Sequence, residues 1–210
     1  MLGFAAPASA HVTVNSDTAQ QGGYAKLTFR VPNEKDAANT VKVEVDLPQD
    51  TPIASVSVKP VAGWTADVQM SKLASPLTDD DGAQVTEAVS KIVWTAGQGS
   101  AIGPGQFQEF DISAGPLPDA DQIVFKALQY YSDGDIVRWI DEPSPGVAEA
   151  DLEHPAPTLK LTSAAAESTT GGSSNSVAGA ALGLGIAGVV LGLAGLALGL
   201  FAYRRLTATR

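Results

Sequence analysis

The 210-residue sequence contains no cysteine and only two methionines and two histidines. The absence of cysteine excludes disulfides and thiolate metal sites, so the stability of the fold must come from packing. Met1 and Met70 are too few to build a thioether site for Cu(I). Any bound metal must therefore use nitrogen and oxygen ligands, which suit Cu(II), Ni(II) or Zn(II).

Basic residues are scarce as well. Residues 11–162 hold ten Lys and Arg against 22 Asp and Glu, a balance that disfavours nucleic acid and anionic surfaces as partners. The sequence has no nucleophile elbow and no phosphate loop. Residues 79–82 (DDDG) lack the spaced ligands and terminal glutamate of a calcium loop, so they indicate a solvated turn. We therefore expect a protein that is not an enzyme.

The N-terminal end is typical of a secretory signal. Residues 1–10 are mostly apolar and end in Ala-Ser-Ala, a small-x-small cleavage site, although the basic n-region and most of the apolar h-region of a complete signal are missing. We expect a partial signal peptide over residues 1–10. Cleavage after Ala10 makes His11 the first residue of the mature protein.

The C-terminal end predicts a membrane anchor. Residues 177–203 carry no charge, and these 27 residues exceed the roughly 20 that a transmembrane helix needs. The arginines in residues 204–210 mark a short cytoplasmic tail. Gly-x-x-x-Gly spacings such as Gly188 to Gly192 permit close helix pairing and hence a homodimer. We expect a single-pass protein of the cell membrane, with a flexible Gly/Ser/Thr-rich linker over residues 163–176 and an extracytoplasmic domain over residues 11–162.

Within that domain, apolar and polar residues alternate. Residues 24–31 (YAKLTFRV) and 41–47 (VKVEVDL) each place their apolar side chains on one face, as half-buried antiparallel strands do. Turn residues separate these from further predicted strands at 54–59, 65–70, 89–95, 107–112, 123–131, 136–140 and 159–161. Many short strands without an amphipathic helix predict an all-β fold, an immunoglobulin-like antiparallel β-sandwich.

His11 is the main candidate for metal binding. A histidine at a free N-terminus offers the α-amine and the ring Nδ1, and the two nitrogens can close a chelate on a divalent metal. A carboxylate could complete such a site, and the nearby acidic residues leave several candidates: Asp17, Glu34, Asp36 and Glu44. Glu44 lies on the outward face of its predicted strand and is expected to be a plain surface residue. Glu34 follows a predicted strand end.

Four motifs resemble the YcnI-like copper-binding family and occur in the same order. They are residues 11–14 (HVTV), 31–34 (VPNE), 60–64 (PVAGW) and 137–140 (VRWI). The resemblance implies a Cu(II) site built on the mature N-terminal histidine, a single-histidine form of the histidine brace, completed by a glutamate and flanked by a tryptophan. Carried over by motif, these residues are His11, Glu34 and Trp139.

Two further residues have alternative interpretations. An indole is not an ordinary metal ligand, so Trp139 is either a neighbour of the metal or, as is common for large aromatics on strands, a core residue. Trp64 and Trp94 are expected in the core. His154, the other histidine, lies in a Pro-rich acidic stretch, where a solvated loop is expected rather than a ligand.

These features predict a membrane-tethered, extracytoplasmic Cu(II)-binding protein, a copper chaperone or scavenger in copper acquisition or homeostasis. Its expected partners are the copper ion and a membrane copper transporter or another copper-handling domain. Two alternatives remain open: a copper-dependent oxidase or monooxygenase, and a structural immunoglobulin-like surface module that binds no metal.

Overall fold

The structure, a computed structural model, describes residues 11–79, 82–144, 147–148 and 151–163. This part of the chain forms eleven β-strands: β1 Thr13–Asn15, β2 Ala25–Pro32, β3 Thr40–Asp46, β4 Ser55–Val58, β5 Trp64–Thr78, β6 Gln84–Ala96, β7 Phe107–Gly115, β8 Gln122–Val124, β9 Lys126–Tyr131, β10 Ile136–Trp139 and β11 Thr158–Lys160. The described residues contain no helix long and apolar enough to cross a membrane. The predicted signal peptide, transmembrane helix and cytoplasmic tail, and the predicted linker beyond residue 163, lie outside the described residues.

The strands form two main antiparallel sheets and one short pair. One sheet has the order β1-β2-β7-β4, and the other has the order β10-β9-β3-β6-β5. β11 and β8 form the third, two-stranded sheet. The alternation predicted from the sequence is confirmed on β2, where Ala25, Leu27, Phe29 and Val31 are buried, and on β3, where Val43 and Val45 are fully buried.

Aromatic residues join the two larger sheets across the core. Phe29 of β2 lies 6.4 Å, between ring centroids, from Trp94 of β6, and Trp94 lies 5.0 Å from Phe110 of β7. Trp94 is 1% exposed, as expected for a core residue, whereas Trp64 is only partly buried against the core. The apolar faces of the two sheets therefore meet in one core, which is the arrangement of a β-sandwich.

Three elements differ from the prediction. The predicted strand at 123–131 is broken at Phe125, because β8 pairs with β11 while β9 pairs with β3. β5 and β6 extend well past the predicted strands at 65–70 and 89–95, and most side chains of the added part are exposed, so their sequence carries little apolar alternation. β1 has only three residues, which is too short for a periodic signal.

Candidate metal centre

His11 lies at the start of the described chain, two residues before β1. Its neighbour Val12 is 2% exposed and anchors the segment in the core. β1 is antiparallel to β2 with Thr13 opposite Arg30, and continuing that register places His11 opposite Pro32. The imidazole is half-buried. The fold therefore brings the N-terminal histidine of the predicted mature chain to the end of β2.

Trp139, the last residue of β10, contacts this histidine. The ring centroids of His11 and Trp139 are 5.6 Å apart, with the ring planes tilted by 56°. Trp139 is 5% exposed and belongs to the apolar core. The two interpretations of Trp139 are therefore compatible, because the same indole packs in the core and adjoins the candidate metal ligand.

Gln129 of β9 fixes the indole from inside the protein. The Trp139 Nε1–H donates a hydrogen bond to Gln129 Oε1 at 3.1 Å, while Gln129 Nε2 donates to the Pro32 carbonyl and to Thr40 Oγ1, both at 2.7 Å. Gln129 is fully buried. Its side chain thus ties Trp139 to the end of β2, two residues before Glu34. This residue was missed in the sequence, although the alternation of β9 places it on the buried face with Ala127 and Tyr131, where a glutamine is unusual.

Glu34 lies on a loop of defined structure. Buried Asn33 donates from Nδ2 to the carbonyls of Ala38 and Ile102, both at 2.8 Å, and its Oδ1 accepts a hydrogen bond from the Lys35 backbone N–H at 3.0 Å. The Glu34 side chain itself is exposed and borders a shallow depression. The β1–β2 register places His11 opposite Pro32, two residues before Glu34, but no contact described in the structure joins Glu34 to either His11 or Trp139.

Lys35 connects the Glu34 loop to the turn between β9 and β10. Its ammonium group pairs with Asp133 at 2.6 Å and also with Asp135, and these hydrogen bonds raise the pKa of Lys35 and lower that of Asp133. Burial raises the pKa of the neighbouring Tyr131 phenol, and the negative charge of Glu34 acts in the same direction. The negative charge of Glu34 therefore acts on Tyr131, the last residue of β9.

The structure contradicts the expectation that His154 lies in a solvated loop. Its ring centroid is 5.2 Å from that of Trp139, in a T-shaped arrangement at 70°, and the side chain is half-buried. Asp141 holds the segment: its Oδ2 accepts a hydrogen bond from the His154 backbone N–H at 3.2 Å, and its own backbone N–H donates to the His154 carbonyl at 3.0 Å. Both histidines of the chain therefore contact one indole.

The other acidic candidates have different environments. Glu44, expected to be a plain surface residue, has a side chain only 13% exposed; it pairs with Lys91 and accepts a hydrogen bond from the Tyr130 hydroxyl at 3.2 Å. Asp17 and Asp36 are exposed. In the expected turn at 79–82, Asp79 Oδ1 accepts a hydrogen bond from the Ala83 backbone N–H at 2.7 Å, while residues 80 and 81 lie outside the described chain.

The donor set at this end of the sandwich consists of nitrogen and oxygen. Two imidazoles contact Trp139, and Asp141 exchanges hydrogen bonds with the backbone of His154. Glu34 lies two residues after Pro32, the residue that the β1–β2 register places opposite His11. Across the described ranges, no group of three or more His, Asp and Glu side chains is already arranged to hold a metal ion. A metal bound here would need a further donor, and the α-amine that cleavage before His11 would free is of the right type. Imidazole, amine and carboxylate donors fit Cu(II), Ni(II) or Zn(II).

Comparisons with known proteins identify relatives of this chain. A family model described as a domain of unknown function, DUF1775, matches residues 11–161. The copper-binding protein CutI of Bacillus subtilis is 32% identical over 174 residues, which are 83% of this chain and 73% of CutI.

Solved structures also match. An uncharacterized protein from Nocardia farcinica, described as having an immunoglobulin-like fold, is 42% identical with a TM-score of 0.59; the match covers 73% of this chain and 99% of that one. The described domain is thus an immunoglobulin-like β structure, in agreement with the fold expected from the sequence.

Proposed function

We propose a function from the premise that this chain belongs to the DUF1775 family, the family of the YcnI-like copper-binding proteins. In this proposal the chain is itself a copper-binding protein, and Cu(II) is its cargo rather than a resident catalytic group. The support is twofold: a relative named for copper binding is similar over most of the chain, and the donors at one end of the fold suit this ion.

The contact between His11 and Trp139 carries the proposal. It joins the predicted first residue of the mature chain to a tryptophan 128 positions later, and Gln129 holds that tryptophan in place. A histidine serving only as surface would not require a buried indole beside it. We therefore infer that the α-amine and Nδ1 of His11 chelate Cu(II), with Trp139 as a wall that shields the ion from water.

Glu34 is the carboxylate that we propose to complete the site. The β1–β2 register places His11 opposite Pro32, and Glu34 lies two residues after Pro32. A carboxylate would neutralise part of the charge of Cu(II). Because protons compete with the metal for amine and imidazole nitrogens, affinity should fall as the pH decreases.

The biological role that we propose is copper delivery or scavenging outside the cytoplasm. The predicted signal peptide and C-terminal anchor would tether the domain to the outer side of the cell membrane, where a copper transporter or another copper-handling domain would receive the metal. Amine, imidazole and carboxylate donors favour Cu(II) over Cu(I), so reduction would weaken binding and release the ion. The Met70 thioether lies on β5, at the opposite edge of its sheet from β10, and is therefore an unsuitable partner for His11.

A Cu(II) titration of residues 11–163 tests this function. This part carries its own core, and the Nocardia farcinica structure matches 73% of this chain over 99% of its own length. We expect tight binding of one equivalent when His11 is the first residue, and loss of tight binding when one alanine precedes it or when His11 is replaced in His11→Ala. Equal affinity of all three proteins would refute an N-terminal chelate.

A second pair of variants tests the carboxylate. Glu34→Gln should weaken Cu(II) binding and shift the electron paramagnetic resonance spectrum, because an anionic oxygen ligand is lost. Asp36→Asn is the matched control, since Asp36 is an exposed acid on the same loop and loses the same charge. Equal effects of the two substitutions would mean that Glu34 acts only through its general charge.

A further inference from the structure

Among the described residues, one edge of the two larger sheets is much longer than the other three. The edge strand β1 has three residues, and the edge strands β4 and β10 have four each, whereas β5 has 15. Natural sheets usually protect an edge with a short strand, a charge or a proline, because its unpaired backbone groups can pair with another chain. Over residues 64–72, β5 has no proline and carries only Asp67 and Lys72 as charged residues. This edge is therefore open to pairing.

The backbone groups of alternate residues of β5 point to the open edge. The carbonyls of Gly63 and Gln69 accept hydrogen bonds, at 2.7 and 3.2 Å, from the residue after β6 and from a serine of β6. The odd-numbered residues of this stretch thus direct their backbone groups to β6. Because this direction alternates along an antiparallel strand, Ala66, Val68 and Met70 direct theirs to the open edge.

The side chains of these residues also lack cover. Val68 lies opposite Ile92, which is fully buried, so Val68 is on the core-facing side of its sheet. It is nevertheless 41% exposed, and Met70 is 54% exposed. The edge strand of the facing sheet, β4, packs over β6. β5 therefore extends beyond the facing sheet and exposes apolar side chains next to unpaired backbone groups.

We propose that β5 pairs with β5 of a second copy of this chain, antiparallel and about a two-fold axis at Val68. An axis perpendicular to the sheet keeps the two faces of the sheet separate, so even-numbered residues meet even-numbered ones. Val68 then lies opposite Val68 of the partner subunit, and Ala66 lies opposite Met70 of the partner subunit. These are the residues whose backbone groups face the open edge, so each such pair exchanges two backbone hydrogen bonds.

The solvent-facing side chains are complementary in this register as well. Asp67 lies opposite Gln69 of the partner subunit, so a carboxylate meets an amide and not a second carboxylate. Within one chain, Gln69 Nε2 donates a hydrogen bond to Asp67 Oδ2 at 2.8 Å, and the same donor and acceptor meet across the dimer. An axis at Met70 would instead place apolar Val68 opposite the charged Lys72 of the partner subunit. The register centred on Val68 is therefore the favoured one.

The predicted membrane anchor supplies the concentration that this pairing needs. A contact made by a few residues of each strand is small, and contacts of this size hold only weakly between free molecules. The anchor predicted over residues 177–203 would confine the copies to one membrane, and its Gly-x-x-x-Gly spacings permit the helices to approach each other. Such a link raises the effective concentration at which two β5 strands meet.

Cross-linking tests the register, since the chain has no cysteine of its own. Val68→Cys in the full chain places one thiol at the proposed axis. The Cα atoms of directly opposite residues in such a pair are about 5.5 Å apart, which is within the range of a disulfide. In membranes treated with diamide, a copper-free oxidant, we expect most of the Val68→Cys protein to migrate as a covalent dimer on a non-reducing gel.

Met70→Cys is the matched control, because Met70 is on the same face of β5 and is the more exposed of the two. In the proposed register the two copies of residue 70 are four positions, or about 13 Å, apart along the strands, too far for a disulfide. We expect this variant to remain monomeric on the gel. Cysteine is small and tolerated at exposed positions, so both variants should fold.

Two outcomes would overturn the pairing. If Val68→Cys gives no covalent dimer, β5 does not meet a second copy at this residue. If the two variants cross-link equally, the thiols meet by random collision of copies held together only by their anchors. Either result leaves the proposed copper binding intact, because β5 lies at the opposite edge of its sheet from β10 and Trp139.

Discussion

Replacement of Gln129 by leucine tests the support beneath the candidate metal centre. Leucine has nearly the volume of glutamine, so Gln129→Leu removes three hydrogen bonds without opening a large cavity. The bonds reach the Trp139 indole N–H, the Pro32 carbonyl and the Thr40 hydroxyl, and all of these residues are buried. The substitution therefore leaves buried polar groups without their hydrogen-bond partner but changes the packing of the core little.

The size of the effect follows from the groups left without their partner. An indole N–H can only donate, and because it is buried it has no other acceptor once Gln129 is replaced. Each such buried unsatisfied group costs about 1–3 kcal/mol. The Pro32 carbonyl adds a similar amount, while the Thr40 hydroxyl can rotate toward another acceptor. Burial of the leucine side chain offsets about 1–2 kcal/mol of this loss. We expect a net decrease of about 1–4 kcal/mol in the free energy of unfolding.

Urea denaturation of residues 11–163 measures this decrease as a lower midpoint at an unchanged m-value. Gln84→Leu is the control, because Gln84 makes one exposed hydrogen bond, to Thr78 Oγ1 at 3.1 Å, and should change stability by no more than about 0.5 kcal/mol. A Gln129→Leu protein as stable as this control would refute the view that Gln129 holds Trp139 and the end of β2 together.

Three further outcomes are expected. Cu(II) should quench tryptophan fluorescence, and Trp139→Phe should remove most of the quenching, since Trp139 is the tryptophan in contact with His11; an unchanged quenched fraction in fluorescence titration would contradict this. Asp111→Asn should flatten the acid dependence of stability measured by urea unfolding below about pH 4, because the Lys59 hydrogen bond lowers the pKa of Asp111, so its contribution is present above the unfolded pKa and is lost as pH falls through the folded one. Lys35→Met should speed amide hydrogen exchange in residues 33–38 by releasing the loop from Asp133; exchange that stays at the wild-type rate would exclude this role.

The strands that face the core were predictable because burial imposes a period of two. Over residues 25–31 of β2 and 42–46 of β3, each inward side chain is apolar and each outward one is polar, so the sequence alone places these parts of the strands and their faces. Thr40, at the start of β3, is polar and buried and departs from this pattern. The same argument fails for the outer part of β5 and β6. There both faces meet solvent, and the residues are not required to alternate.

The candidate site was predictable only in part, for a different reason. His11 was predicted as a metal ligand from its position after the cleavage motif, and Glu34 and Trp139 were predicted as site residues from a family resemblance; the structure brings His11 and Trp139 into contact. His154 was assigned to a solvated loop because local composition, rich in proline and acid, carries no information about Asp141, the residue that draws it to β10. Contacts between residues so distant in sequence depend on the order of the strands, which periodicity does not determine.

At Trp139, packing in the core and contact with the candidate metal ligand His11 do not exclude each other. The polar edge of its indole points inward to Gln129, while other parts of the ring meet His11 and His154. The hydrogen bond to buried Gln129 fixes the orientation of the indole. The surface that the indole presents to the two histidines is therefore fixed as well, and this restricts the positions that they can take. It follows that substitutions at Gln129, whose described hydrogen bonds reach neither histidine, should alter copper affinity as well as stability, and that the two effects should be correlated across a series of Gln129 variants.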